Sequence, residues 1–241
     1  KIIEKRKLKH FEEFIADLNE EFSDVNIKLI RKAVDDVFTG IVGNYGKISG
    51  APTYLAFIGQ KDEKHVEEKI GYAGESVILE ATSMGLGTCW ISGSFDSKEV
   101  NEDIELKEGE KIFAISPLGY PEDKPTLSER ILKAVVSSKK RLPLEELVLN
   151  EVDSDWPKWI NSALEAARLA PSAMNRQPWR FRVEDDAITV LLKGKNVDPK
   201  KSKRMDCGIA MLHIEIGAKK EGKSGQWEYF DGQIVARYTI D

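Results

Sequence analysis

The segment Ala170-Pro171-Ser172-Ala173-Met174-Asn175-Arg176-Gln177-Pro178-Trp179-Arg180-Phe181 carries the reading of the fold. It follows a run in which Ile160, Leu164, Ala167 and Leu169 predict a helical face, and Ala170-Pro171 marks where that helix stops. From Trp179 to Val183 the residues alternate as in a strand, with Trp179 and Phe181 expected in the core. Between helix and strand lies a loop of short hydrogen-bonding side chains. Such a loop can present Ser172, the Asn175 amide and free backbone groups to a polar heterocycle. It can equally be an ordinary turn in which Ser and Asn bond their own backbone. Residue chemistry alone leaves both readings open.

Around this segment the pattern is of short strands mixed with helices. Asp155 is positioned to cap the preceding helix, with Pro157 in its first turn. After Trp179–Val183, Asp185-Asp186 turns the chain and Ile188 to Leu192 returns. Asp206 to Lys220 predicts an apolar helix, and Gln226–Phe230 and Gln233–Ile240 flank the hairpin signal Asp231-Gly232. In the first half, Leu8 to Phe22 predicts an amphipathic helix, Val25 to Leu29 a strand, and Arg31 to Phe38 a return to helix. Gly40 to Gly50 reads as a loop and Pro52 to Gly59 as a buried strand. Gly71 to Met84 predicts a helix stopped by Gly85. Lys111–Ser116 reads as a strand, Pro117–Pro121 as a turn, Ser128–Val136 as a helix and Ser137–Asp155 as the linker. Gly71, Ala73, Ala81 and Gly85 match Gly208, Ala210, Ala218 and Gly222 at one constant offset, a weak internal repeat of the kind a duplicated unit leaves.

The 241 residues, 41% hydrophobic and 32% charged, have the composition of an ordinary soluble globular protein. No apolar run approaches the ~20 residues of a membrane helix, and the N-terminus lacks the pattern of a secretory signal. A net charge of −5 argues against a nucleic-acid binder, and Lys200, Lys201, Lys203 and Arg204 read as a solvated loop before a helix. Cys89 and Cys207 form no Cys-x-x-Cys and are expected as buried, reduced thiols in a reducing cytoplasm. His10, His65 and His213 lie in separate predicted helices, so no metal site is expected, and His213 is read as a core residue. No Gly-x-Ser-x-Gly or Ser/His/Asp set points to acyl transfer.

Two further stretches stand out. Gly85-Leu86-Gly87-Thr88-Cys89-Trp90-Ile91-Ser92-Gly93 follows a helix, so it is not a dinucleotide fingerprint, whose glycines follow a strand and open a helix. Taken alone it is a helix cap and a turn. Ser137-Ser138-Lys139-Lys140-Arg141-Leu142-Pro143-Leu144-Glu145-Glu146 contains three successive cations, which can grip a phosphate or simply be solvated.

The segment at 170–181 resembles the signature Ala-Pro-Ser-x-x-Asn-x-Gln-Pro-Trp-x-Phe of the FMN-dependent nitroreductases, with every fixed position met. The resemblance implies that Ser172 and Asn175 contact the flavin and that Pro171 and Ala173 shape the loop. The stretch at 85–93 is similar to the family segment that runs along the flavin, which points to Trp90, Ser92 and Gly93. The basic run resembles the family's closing cations that hold the FMN phosphate, implying Lys139 and Arg141, with Lys140 as substitute. Near the start, Lys5-Arg6-Lys7 opens the family's Arg-x-Ser-x-Arg pattern with Arg6 at its first arginine. The serine and second arginine do not follow, and either the chain departs from the pattern there or residues are missing after Lys7.

The order of these motifs is inverted relative to an ordinary nitroreductase, since the Ala-Pro-Ser loop comes last. That order resembles a branch in which two halves in tandem mimic the family's intertwined dimer. The expected fold is therefore α+β and nitroreductase-like, a mixed, largely antiparallel sheet flanked by helices, with two similar halves forming a pseudo-dimer. Residues 1–145 would supply the phosphate side and residues 146–241 the ring-side loop, giving one FMN site per chain. The resemblance implies a cytoplasmic oxidoreductase that passes hydride from NAD(P)H through FMN to a small nitroaromatic or quinone by a ping-pong cycle. Such a cycle uses no dedicated protein acid or base, so no catalytic residue is assigned. The chain would be a monomeric pseudo-dimer or a weak homodimer, with no nucleic-acid or membrane partner. The alternative is a non-catalytic FMN-binding, storage or interaction protein of the same fold.

Overall fold

The computed structural model describes residues 2–33, 50–93, 95, 97–121, 140–153, 155–194 and 203–241. The expected loop over 40–49, the helix over 128–136, most of the helix over 31–38, Lys139, Lys200 and Lys201 lie outside these residues. The chain forms two compact units, one of Lys1–Val66 with Ala73–Lys139 and one of Glu67–Tyr72 with Lys140–Asp241.

In the first unit, helix α1 (Lys5–Glu21) buries Phe11, Ile15 and Leu18, the stripe the periodicity predicts. The Asn19 side chain ties it to strand β1 (Val25–Ile30), donating to the Ile27 carbonyl at 2.9 Å and accepting from its N–H at 2.8 Å. Strand β2 (Thr53–Gln60) is buried on both faces except at its last residue, as an unbroken apolar run requires. Helix α2 (Val66–Ser83) begins before the predicted Gly71, behind His65 in a left-handed conformation (φ 59°). Gly85, at φ +74°, ends it as expected. Strand β3 (Gly87–Thr88), helix α3 (Ser97–Asp103) and strand β4 (Glu110–Gly119) follow. All pairings in this sheet are antiparallel, in the order β1-β2-β4-β3. Tyr54, Ala56, Ile58, Ile91, Ile112 and Ile115 lie in one buried cluster with Val100 and Ile104.

The turn expected at Pro117–Gly119 is instead the end of β4, with Pro117 paired to Tyr54. Proline fits inside a strand only where its missing N–H is not needed. Ile115 donates its N–H to Ile91, so by the strand's two-residue period Pro117 faces that same neighbour. There β3 has ended, and the Cys89 N–H is bound by Ser116 Oγ at 3.0 Å rather than by a β4 carbonyl. Arg31–Ala33, expected to open a helix, is not helical.

In the second unit, the expected linker holds helix α4 (Leu144–Leu147), and Val148 makes a parallel bridge to Phe181. Leu147 and Val148 are buried, so this stretch is part of the core rather than a solvated connector. Helix α5 (Lys158–Leu169) is flanked by Pro157, not capped by Asp155, whose N–H turns back to Asp153 Oδ1 at 2.8 Å. Strands β5 (Trp179–Val183) and β6 (Ala187–Leu192), helix α6 (Arg204–Lys220) and the hairpin of β7 (Gly225–Tyr229) and β8 (Ile234–Ile240) appear where the pattern puts them. Trp179 and Phe181 are fully buried. His213 is half-buried rather than in the core. The sheet runs β5-β6-β8-β7, again wholly antiparallel.

Each sheet therefore has its first two strands side by side and its last two exchanged, after a helix between the second and third strands. Each also has a register shift where its second strand meets its fourth, at Phe57/Ile58 and at Val190/Leu191. Within the second unit, residues 67–72 of α2 cross α6 at backbone contact. A Cβ on Gly71 would stand 2.1 Å from the Met205 carbonyl oxygen, and one on Gly208 would stand 2.1 Å from that of Glu68. Both positions require glycine for this approach. Across the same crossing, Arg204 pairs with the buried Glu68 and donates to the carbonyls of Phe230 and Gly232, tying α6 to the hairpin.

Candidate functional site

The loop that follows α5 is a strained, closely tied structure. Ala170 caps the helix in extended conformation, Ser172 continues extended, and Ala173–Asn175 forms one 3-10 turn. Met174, Asn175 and Gln177 all have positive φ, at 54°, 52° and 48°. Left-handed non-glycine residues cost free energy, least for Asn, and persist only where their surroundings enforce them.

The enforcing contacts come from several directions. Ser172 Oγ accepts the Gln177 N–H at 2.9 Å, and the Ser172 carbonyl accepts the Asn175 N–H at 2.9 Å. Buried Gln177 accepts the Leu142 N–H at 2.8 Å and donates to the Lys140 carbonyl at 3.3 Å. The Asn175 amide donates to that same carbonyl at 2.8 Å. Arg141 completes the set, donating to Asn175 Oδ1 at 3.1 Å and gripping the Leu169 carbonyl through Nε and Nη2 at 3.3 and 3.1 Å. Burial, and then the neighbouring Arg168, hold the Arg141 guanidinium below the usual arginine range. Asp206, in the first turn of α6, accepts the Ala173 N–H at 3.1 Å.

Of the predicted site residues, Arg141, Pro171, Ser172, Ala173 and Asn175 thus gather in the second unit. Ala173 is exposed, while Pro171, Ser172 and Asn175 are half-buried. The two readings of the loop are compatible here. Ser172 and Asn175 do bond nearby backbone, yet the serine hydroxyl keeps its proton to donate and the loop stands beside a cation.

Arg6, Trp90, Ser92 and Gly93 belong to the first unit. Trp90 stacks on Phe57 with centroids 4.4 Å apart, its edge closes on Gly74, and its indole N–H donates to buried Glu75 at 2.8 Å. Ser92 and Gly93 are exposed beyond it. Arg6 is exposed on α1, and Lys7, the next residue of the same unbroken helix, is the one held. Lys7 Nζ donates to the Met84 carbonyl at 2.7 Å and to the Tyr120 hydroxyl at 2.9 Å, and that hydroxyl donates to Glu4. The Tyr120 bond is the leading reason the Lys7 ammonium is favoured.

Gln177 and Asp206 were not expected at the site. Gln177 is a fixed position of the motif and signalled itself only there. Asp206 carries the ordinary signal of an acid in a helix's first turn. Burial pushes its carboxyl up to about 6, against the Ala173 N–H and the cations Arg176 and Lys203, which favour its charge.

Among the described residues, no group of His, Cys, Asp and Glu is placed to hold a metal ion, and no helix is long and apolar enough to cross a membrane.

A family model described as "Putative TM nitroreductase" matches residues 1–218. A crystal structure of a "putative nitroreductase" from Thermotoga maritima aligns over 100% of this chain and 86% of its own, with TM-score 0.63 and 20% identity. A "Putative NAD(P)H nitroreductase YfhC" of Bacillus subtilis is 27% identical over 107 residues, which are 42% of this chain. The chain spans 55% of the length of that curated relative. A nitroreductase with bound FMN from Bacteroides fragilis gives a partial likeness, with TM-score 0.41, 20% identity, and 53% of this chain and 82% of its own covered.

Proposed function

Because the chain belongs to the "Putative TM nitroreductase" family, we propose that it is an FMN-dependent oxidoreductase. It would take reducing equivalents from NADH or NADPH and deliver them to a small nitroaromatic or quinone in a ping-pong cycle. The observation that carries this reading is the 3.1 Å contact between Arg141 and Asn175. It joins the cation that the resemblance assigns to the phosphate to the motif loop within one compact unit.

The donor set suits an anionic, nitrogen-rich cofactor. Arg141 carries a planar guanidinium, which matches phosphate oxygens better than a lysine would; here its Nε and Nη2 are turned to the Leu169 carbonyl and its Nη1 to Asn175, so taking a phosphate would mean exchanging those partners. Ser172 and Asn175 supply a hydroxyl and an amide, and Pro171 and Ala173 set the loop's course. The resemblance to the family also implies Lys139, Arg6, Trp90, Ser92 and Gly93 as flavin contacts. When bound, FMN supplies the chemistry of accepting and releasing hydride. The protein's share is to hold, orient and bias: hydrogen-bond donors of the loop favour negative charge that develops on a neighbouring ring. No side chain is assigned as acid or base.

The shared strand order and matching register shifts of the two sheets support the reading of residues 1–145 and 146–241 as two nitroreductase-like halves. So does the reciprocal meeting of Gly71 and Gly208. The chain would then act as a monomeric pseudo-dimer or weak homodimer with one flavin. Cys89 and Cys207 are both free thiols, as the reducing cytoplasm would keep them.

One observation favours the non-catalytic alternative. Arg6 is exposed, and the lysine beside it is engaged with Tyr120 and Met84 rather than held open for an anion. The test is to purify the chain, release and identify any flavin, and follow NADH or NADPH oxidation with a nitroaromatic or quinone acceptor. One FMN per chain with acceptor-dependent oxidation is expected. Bound FMN without turnover would establish the storage reading, and absence of FMN even after reconstitution would overturn both flavin readings and leave the interaction protein.

A further inference from the structure

We propose that Asp206 is a positioning residue for the flavin loop, fixing its left-handed course from α6 by holding the Ala173 N–H. This rests on the flavin reading for its functional consequence, but its structural content stands on the loop itself.

Three of the four residues Met174, Asn175, Arg176 and Gln177 are left-handed, a conformation that reverts unless the ends of the segment are pinned. The far end is pinned by Gln177, through Leu142 and Lys140. The near end is pinned at Ala173, and the partner there is Asp206 at 3.1 Å. Ala173 itself is exposed, so its outward face is turned to solvent while its N–H is directed to a carboxylate that is only 6% exposed. An acid in the first turn of a helix needs no burial to complement the helix's positive end. Burial makes sense for an acceptor aimed at one donor on another element, where low polarity strengthens the bond.

The groups facing Asp206 fit that role. Arg176 from the loop and Lys203 at the start of α6 favour its charged form, while burial opposes it. The adjacent Cys207 thiol is raised by burial first, and then by Asp206 and by Glu68 of α2, with Arg204 and Lys203 acting the other way. Burial outweighs the cations, which leaves Asp206 near about 6. Charged or neutral, the carboxyl oxygen accepts the Ala173 N–H, and the bond does not depend on titration for its existence.

The test compares wild type with Asp206→Asn, which keeps an oxygen acceptor but cannot titrate, and with Asp206→Ala, which has none. Amide hydrogen exchange over residues 170–178 is followed in the flavin-free chain, together with FMN affinity by fluorescence titration. Asp206→Ala is expected to speed loop exchange about tenfold and to weaken FMN binding by a similar factor. In Asp206→Asn both stay within about threefold of wild type. Should Asp206→Ala not fold, Ala173→Pro removes the donor instead. The extended Ser172 accepts a following proline, and the same loosening of residues 174–178 is expected. Loop exchange unchanged in Asp206→Ala or Ala173→Pro, or Asp206→Asn as damaging as Asp206→Ala, overturns the proposal. A wild-type chain that takes up no FMN defeats the flavin reading instead, and the exchange comparison still decides the tether.

Discussion

Gly71 and Gly208 stand in a reciprocal relationship, each occupying the place where the other helix brings a carbonyl oxygen from three residues upstream of its own glycine. A Cβ at either position would lie 2.1 Å from that oxygen. No rotamer change relieves a clash with backbone, so the helices themselves would have to part.

Gly71→Ala and Gly208→Ala should therefore each destabilise the fold, by about 2–3 kcal/mol net. The gain in helix propensity, ~1 kcal/mol, opposes but does not cancel this. Once the helices have moved apart for one methyl, the second costs less, so the double variant should lose less than the sum. Urea unfolding of the three variants measures this directly, and full additivity would contradict a shared crossing.

Arg141→Ala removes both the Asn175 contact and the grip on the Leu169 carbonyl. FMN affinity is expected to fall at least tenfold, with Arg141→Lys recovering only part, because an ammonium keeps the charge without the planar fork. Fluorescence titration with FMN reads the result. Equal affinity in all three proteins would remove Arg141 from the site.

Asp206 gives the stability a pH dependence whose sign is fixed. Its carboxyl is raised to about 6 in the fold from an ordinary 3.8, so the folded chain keeps its proton to higher pH than the unfolded chain. Its contribution is complete below about pH 4 and lost as pH rises through 6, amounting to on the order of 3 kcal/mol by pH 7. Between pH 4 and 7 the unfolding free energy of wild type should fall relative to that of Asp206→Asn. A constant difference would show that Asp206 is not desolvated.

Trp90→Phe keeps a ring against Phe57 but withdraws the indole N–H from buried Glu75. A loss of about 1–2 kcal/mol in thermal or urea unfolding is expected. If this segment meets the flavin through its backbone, FMN affinity should change by less than about threefold. A large loss of affinity at unchanged stability would instead make the Trp90 ring a direct contact.

How much of this could be read in the sequence follows from the range of each interaction. The α1 stripe, the apolar run of β2 and the β7–β8 hairpin are written in neighbouring residues, and periodicity finds them. Pro117 misled because a proline-glycine run usually turns, and its place in β4 depends on where β3 has stopped. The early start of α2 was hidden because Val66 to Ile70 is mostly charged and Gly71 looks like a break, whereas that glycine is needed where α6 passes. At the site, Ser172, Asn175 and Arg141 stand in local patterns. Asp206 does not, because its partner lies 33 positions away and only the folded loop shows which way Ala173 points its N–H.

The second compact unit is discontinuous along the chain, with Glu67–Tyr72 threaded into it from a stretch otherwise belonging to the first. A single proteolytic nick near residue 140 would consequently release no self-sufficient C-terminal fragment. That piece would lack the helical turns bearing Gly71 and Glu68, and would display a bare glycine surface and an arginine parted from its carboxylate. Splitting the gene there should yield insoluble products unless both pieces are made together.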